Sequence, residues 1–183
     1  MSFPAFLDTC TIFGAAINDF VLDLAERGTF RPLCSEHVLA ELERSLVRRG
    51  IDPDAVAYRI GAMRTAFPDA NVTGYEDLIS QMTCDDDDRH VLAAAVRANA
   101  EVIVTFNLKH FPQSSVEPYQ ISTVHPDDFL LDQLDLYPQA TLQSLEDTSG
   151  RYEKPAMTVD TFLGLLAKAG APKFAEAAAE QLR

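Results

Sequence analysis

Four consecutive aspartates, Asp85, Asp86, Asp87 and Asp88, form the densest run of acidic groups in the chain. Adjacent carboxylates repel one another and raise each other's pKa unless a cation or a donor compensates. Such a cluster suits a hard divalent cation, because Mg²⁺ and Mn²⁺ prefer oxygen ligands. Helix-start chemistry is the competing explanation. Aspartate is favoured as an N-cap and in the first turn, where it meets free N–H groups and the positive end of the dipole. The segment that follows, Arg89 to Arg97, reads as a helix. Helix-start preferences account for one or two of the four aspartates and leave the others open.

Further acids join this run only if the fold brings them there. Asp8 ends a short apolar run, Phe3 to Leu7, that reads as a buried strand. Glu41 lies one turn into a helix that Ser35 can cap, beside its apolar stripe of Val38, Leu39, Leu42 and Leu46. The helix after the aspartates runs to about Ala98 and leads into Glu101–Thr105, the clearest strand in the sequence. Arg31–Ser35, Asn71–Thr73 and Tyr119–Val124 read as further strands. Ile12 to Arg27 has helical spacing and closes at Gly28. Asp52-Pro53 starts a helix with Val56, Ile60 and Met63 inward, and Pro126 to Leu131 opens a short one. Tyr75 to Cys84 carries no clear pattern. The alternation predicts an α/β fold, a mostly parallel sheet of about five strands flanked by helices. Asp8 and Thr105 both close strands, and ligands in such sheets collect at the carboxyl ends.

Residues 1–131 are expected to form this α/β domain and residues 132–183 a C-terminal helical extension. In the extension Gln139–Leu145 is weakly helical and Ser149–Pro155 reads as a linker. Thr158 can cap the next helix, and Phe174–Leu182 reads as the last. Short amphipathic helices need tertiary burial, so these pack on the domain or on a partner.

Composition narrows the class. The chain has 183 residues, of which 47% are hydrophobic, as expected of one globular domain with an appendage. No apolar run approaches the roughly 20 residues of a membrane span. The N-terminal residues lack a basic flank and a cleavage signal. Cys10, Cys34 and Cys84 share no metal-ligand spacing, which predicts small buried residues in a reducing, cytoplasmic setting. A net charge of −13 argues against generic nucleic-acid binding, which rests on neutralising phosphates. It does not argue against a nuclease whose acids hold a cation that meets the phosphate. A basic protein partner also fits this balance.

Four segments together resemble the PIN-domain ribonucleases, and within them the VapC-like toxins of bacterial type II toxin–antitoxin pairs. They are Phe6-Leu7-Asp8-Thr9-Cys10, Ser35-Glu36-His37-Val38-Leu39-Ala40-Glu41-Leu42, Asp85 to Ala95, and Val102 to Pro112. The resemblance covers about Met1 to Leu131, and a weaker one extends over the C-terminal stretch. It implies a parallel sheet, a site holding Mg²⁺ or Mn²⁺, an RNA substrate, and products with 5′-phosphate and 3′-hydroxyl ends. It also implies a small cognate antitoxin and the chance of a homodimer. By resemblance Asp8 is the first metal-binding acid, Glu41 the second and Asp88 the third. Asp85 matches a further acid of this branch and ranks below Asp88, while Asp86 and Asp87 are expected to face solvent or cap the helix. Where the family often carries a fourth acid, this chain has Asn107 and His110. That departure favours one metal over two. It also keeps open a catalytically silent PIN-like module that binds RNA or protein.

Supporting residues have two readings each. Thr9 is expected to bond a carboxylate or cap the next helix, and Thr105 to support the site by the same logic. Arg44, Arg48 and Arg49 are candidates for RNA contact at a helix end that the dipole already suits for cations. Arg89, Lys109 and His110 are candidates for phosphate contact, with neutralisation of the aspartates as the alternative for the first two. His90 is expected to be partly buried and not a ligand. A phosphoryl-transfer enzyme with Asp8 as nucleophile is the remaining alternative, and no Gly-rich phosphate loop follows Asp8 to support it.

Overall fold

The structure, a computed structural model, describes residues 2–183. Five strands, β1 (Pro4–Leu7), β2 (Arg31–Ser35), β3 (Asn71–Val72), β4 (Val102–Val104) and β5 (Ser122–Val124), form one sheet in the order β3-β2-β1-β4-β5. Every pairing is parallel. This is the α/β class that the alternation predicts. Ala5, Phe6 and Leu7 of the central strand are buried, as expected where helices cover both faces of a parallel sheet. Leu7 pairs with Val104, so the residues that follow, Asp8 and Thr105, leave the sheet side by side. The Asp8 N–H donates to the Val104 carbonyl at 3.2 Å and fixes that exit.

The helix expected over Ile12–Arg27 is divided. It becomes α1 (Thr9–Phe13) and α2 (Ala15–Glu26), with Gly14 extended at φ −73° and ψ 128° between them. One local and one tertiary effect override the helical spacing. Asp8 caps α1 by accepting the Thr9 N–H, which starts the helix early. Arg59, from α4 (Pro53–Ala66), donates to the Ile12 and Phe13 carbonyls at 2.5 and 3.3 Å, replacing the bonds a continuous helix would have made. Gly28 ends α2 at φ +75°, a region open to glycine at little cost.

Helix α3 (Glu36–Arg48) follows its pattern, with Ser35 accepting the Val38 N–H and Val38, Leu39, Leu42 and Leu46 buried. Tyr75–Cys84 contains a 3₁₀ turn at Glu76–Gln81. Asp86–Asp88 makes another 3₁₀ turn before α5 (Arg89–Arg97). A short helix, α6 (Gln113–Val116), precedes β5.

The C-terminal stretch is more helical than its sequence suggests. It holds α7 (Pro126–Leu136), α8 (Pro138–Gly150), α9 (Val159–Lys168) and α10 (Pro172–Gln181). The segment expected as a linker, Ser149–Pro155, begins inside α8, and Ser149 is buried. Arg151 ion-pairs with the buried Asp23 of α2, and the Tyr152 hydroxyl donates to Asp19 at 2.8 Å. Polar composition read as a linker is here a set of tertiary hydrogen bonds. Phe162 and Phe174 close over Phe20 of α2, with ring centroids 6.1 and 5.3 Å away. Asp127 at the start of α7 accepts the Lys173 and Phe174 N–H groups at 3.2 and 2.8 Å, capping α10 from outside it. Between α9 and α10, Gly170 at φ +110° lies against Phe106. These helices therefore complete the core instead of standing apart. Among the described residues no helix is long and apolar enough to cross a membrane.

Candidate metal centre

Asp8 is 3% exposed at the carboxyl end of β1. Its Oδ1 accepts the Thr9 N–H at 2.6 Å. Its Oδ2 accepts the Thr105 hydroxyl at 2.7 Å and the Cys10 thiol at 3.1 Å. A buried carboxylate requires donors of this kind. Strand β4 supplies Thr105 because its register ends beside β1.

Glu41 is carried by α3, on the side facing α1. The Thr9 hydroxyl donates to its Oε2 at 2.7 Å, and His90 Nε2 meets its Oε1 at 3.0 Å. Burial raises its carboxyl pKa, but the bonds from His90 and Thr9, with the charges of His90 and Arg44, hold it below the ordinary glutamate value. Asp88 ends the acidic 3₁₀ turn, and its Oδ2 meets His110 Nδ1 at 2.6 Å. Burial raises this carboxyl; His110 offsets part of the shift, Asp8 and Asp85 add to it, and the net displacement is upward. Two acids of one cleft are thus shifted in opposite directions.

Asp8, Thr9, Cys10, Glu41, Asp88 and Asn107 line one cleft together with Phe13, Ser45, Arg48 and Arg49. Its volume, about 460 Å³, lies inside the roughly 300–1,000 Å³ usual for ligand sites. The residues brought together are therefore Asp8, Glu41, Asp88, Thr9, Asn107 and Arg48, with Thr105 behind Asp8. Asp85 stands beside them and outside the lining. It caps its own turn by accepting the Asp87 N–H at 3.2 Å. Asp85, Asp88 and His110 nevertheless offer ligand atoms within 4.8 Å of one another. Oxygen donors with one imidazole nitrogen fit Mg²⁺ or Mn²⁺.

The remaining candidates separate. Thr9 does not cap α1, because Asp8 does; its hydroxyl goes to Glu41. The Asn107 N–H donates to Thr105 Oγ1 at 3.0 Å. His110 holds Asp88. Arg89 pairs with Asp86 at 2.6 Å, which matches its neutralising alternative. Asp86 and Asp87 are exposed, as expected. Arg44 and Lys109 are exposed outside the cleft lining.

Two residues in the constellation were not legible beforehand. Cys10 reads as a small apolar residue, yet its sulfur donates to Asp8, contacts Thr105 at 3.4 Å and accepts the Phe106 N–H at 3.3 Å. Burial first, then the Asp8 charge, push this thiol up to about 11, so it stays a protonated donor. His90 holds Glu41. Its one sequence signal is its place directly after Asp88-Arg89, which puts it at the start of the helix beside the acids.

The PIN domain family model matches residues 4–109, and a model described as the VapC50 C-terminal domain matches residues 126–180. A Mycobacterium tuberculosis protein described as "Putative ribonuclease VapC50" is 54% identical over 102 residues, covering 56% of this chain and 60% of that protein. The match thus spans less than two thirds of that relative's length. No solved structure matches. With its parallel sheet, acidic cleft and a family match over more than half its length, the chain belongs to the PIN domain family.

Proposed function

We propose that the chain is a divalent-cation-dependent endoribonuclease and the toxin of a toxin–antitoxin pair. The observation that carries this reading is the convergence of Asp8, Glu41 and Asp88 in one cleft. Family membership supports the reaction class, and the printed name of the Mycobacterium tuberculosis relative supports the ribonuclease assignment.

Asp8, Glu41 and Asp88 would hold the cation, with Asp85 and His110 completing its surroundings. A bound Mg²⁺ or Mn²⁺ supplies a water of lowered pKa and braces a phosphoryl oxygen. The chain's own residues do the rest. Thr9, Thr105 and His90 fix the carboxylates, so little reorganisation is needed when charge develops on the phosphate. His110 steadies Asp88 in the same way, through the bond between its Nδ1 and the carboxylate. Arg48 and Arg49, which also line the cleft, meet the RNA backbone. Attack of water on phosphorus forms the new P–O bond of the 5′-phosphate as the P–O3′ bond breaks, and the leaving oxygen takes up a proton from solvent to depart as a 3′-hydroxyl.

RNA cleavage in Mn²⁺ by the native chain, Asp8→Asn and Glu41→Gln tests this. Loss of at least a hundredfold in both variants is expected. Equal cleavage by all three, or full cleavage in excess EDTA, would sink it. Tight RNA binding with no turnover would favour the silent module that Asn107 and His110 leave open. An antitoxin would present a basic side chain to the acidic cleft, and the PIN unit would pair as a homodimer. Co-expression with the neighbouring reading frame and light scattering check these two statements.

A further inference from the structure

We propose that His90 is a positioning residue for Glu41 and sets the cation affinity of the site through that carboxylate. The proposal rests on reading Glu41 as a cation-holding acid. Asp8 sits on a strand end and is gripped by a backbone N–H, a hydroxyl and a thiol. Glu41 hangs from a helix on a longer, half-exposed side chain. Thr9 holds one of its oxygens and His90 the other. Remove either grip and the side chain regains rotamers that cation binding must then freeze.

His90 is built to hold still. Its side chain is 11% exposed. An ionised carboxylate only accepts, so Nε2 carries the shared proton. Nδ1 is buried without a partner, so the bond to Glu41 is the hydrogen bond that fixes the ring. The ring is backed by His37, with centroids 5.2 Å apart and planes tilted by 48°. His37 is in turn fixed by a 2.6 Å bond between its Nδ1 and the hydroxyl of the buried Tyr75. Tyr75, His37 and His90 thus form a stack from the core to Glu41 that the cleft lining does not reveal.

Calorimetric Mn²⁺ titration of the full chain and its His90→Ala, His90→Gln, His90→Asn and Glu41→Gln variants tests the proposal, with melting curves as the folding control. A glutamine amide nitrogen reaches the place of Nε2, whereas an asparagine reaches only that of Nδ1. His90→Gln should bind Mn²⁺ near the native affinity. His90→Asn and His90→Ala should bind about ten- to a hundredfold more weakly, the usual cost of removing a ligand's supporting bond. Raising Mn²⁺ should restore RNA cleavage by His90→Ala and not by Glu41→Gln. Native affinity in His90→Ala or His90→Asn, with weakened binding in Glu41→Gln, overturns the positioning role alone. Unchanged binding in Glu41→Gln overturns the reading of Glu41 beneath it. If His90→Ala does not fold, the contrast between Gln and Asn decides.

Discussion

Thr105 donates its hydroxyl to Asp8 Oδ2 at 2.7 Å and so joins the ends of two neighbouring strands at the floor of the cleft. Thr105→Val keeps the shape and removes the donor. Cleavage should fall roughly ten- to a hundredfold. A buried carboxylate oxygen that loses a donor should also cost about 1–3 kcal/mol of stability. Thr105→Ser should retain most of both. Single-turnover cleavage and a urea midpoint measure the two effects.

The opposite shifts of Asp88 and Glu41 have opposite consequences for stability in EDTA. The folded Asp88 carboxyl lies above its unfolded value, so it destabilises the fold above that pKa and the penalty fades as pH falls through it. Asp88→Asn should therefore melt higher than the native chain at neutral pH while losing cleavage. The folded Glu41 carboxyl lies below its unfolded value, so its contribution is present at neutral pH and is lost as pH falls through the folded pKa. Glu41→Gln should melt lower at neutral pH, and the gap should close in acid. Melting curves stepped from neutral pH to below the carboxylate range check both signs.

Asp127 caps α10 through two backbone N–H groups and is buried. Asp127→Ala should cost about 1–2 kcal/mol, as lost caps do. Asp127→Asn, which keeps one acceptor, should cost less. Denaturant midpoints of the two variants give the order.

Gly170 cannot accept a side chain. A Cβ there would lie 2.6 Å from Phe106 Cε1, and φ is +110°. Gly170→Ala should destabilise by about 1–3 kcal/mol from backbone strain alone. Because Phe106 lies between Thr105 and Asn107, its displacement should also lower cleavage, while Gly164→Ala, with open space around it, should do neither.

The sheet was legible because its signals are local, whereas the choice of Asp8, Glu41 and Asp88 among the acids came from the resemblance to the PIN-domain ribonucleases. Apolar runs end in Asp8 and Thr105, and a helical stripe runs beside Glu41. The break at Gly14 was not legible, because it depends on Arg59 arriving from another helix. The Ser149–Pro155 segment misled for the same reason: its polar residues bond Asp23 and Asp19, more than 100 positions earlier. Cys10 and His90 carry no periodicity of their own, and their contribution appears only once Asp8 and Glu41 have been placed in space.

The partners that steady Asp8, Glu41 and Asp88 are hydroxyl, thiol, imidazole and backbone N–H groups; among the described residues none is a lysine or arginine. Under the proposed function, a polyanion approaching the cleft meets Arg48 and Arg49 beside these carboxylates, and a divalent ion held by the acids would add to the attraction. Substrate affinity and cation occupancy are then thermodynamically linked, each raising the other by the same factor.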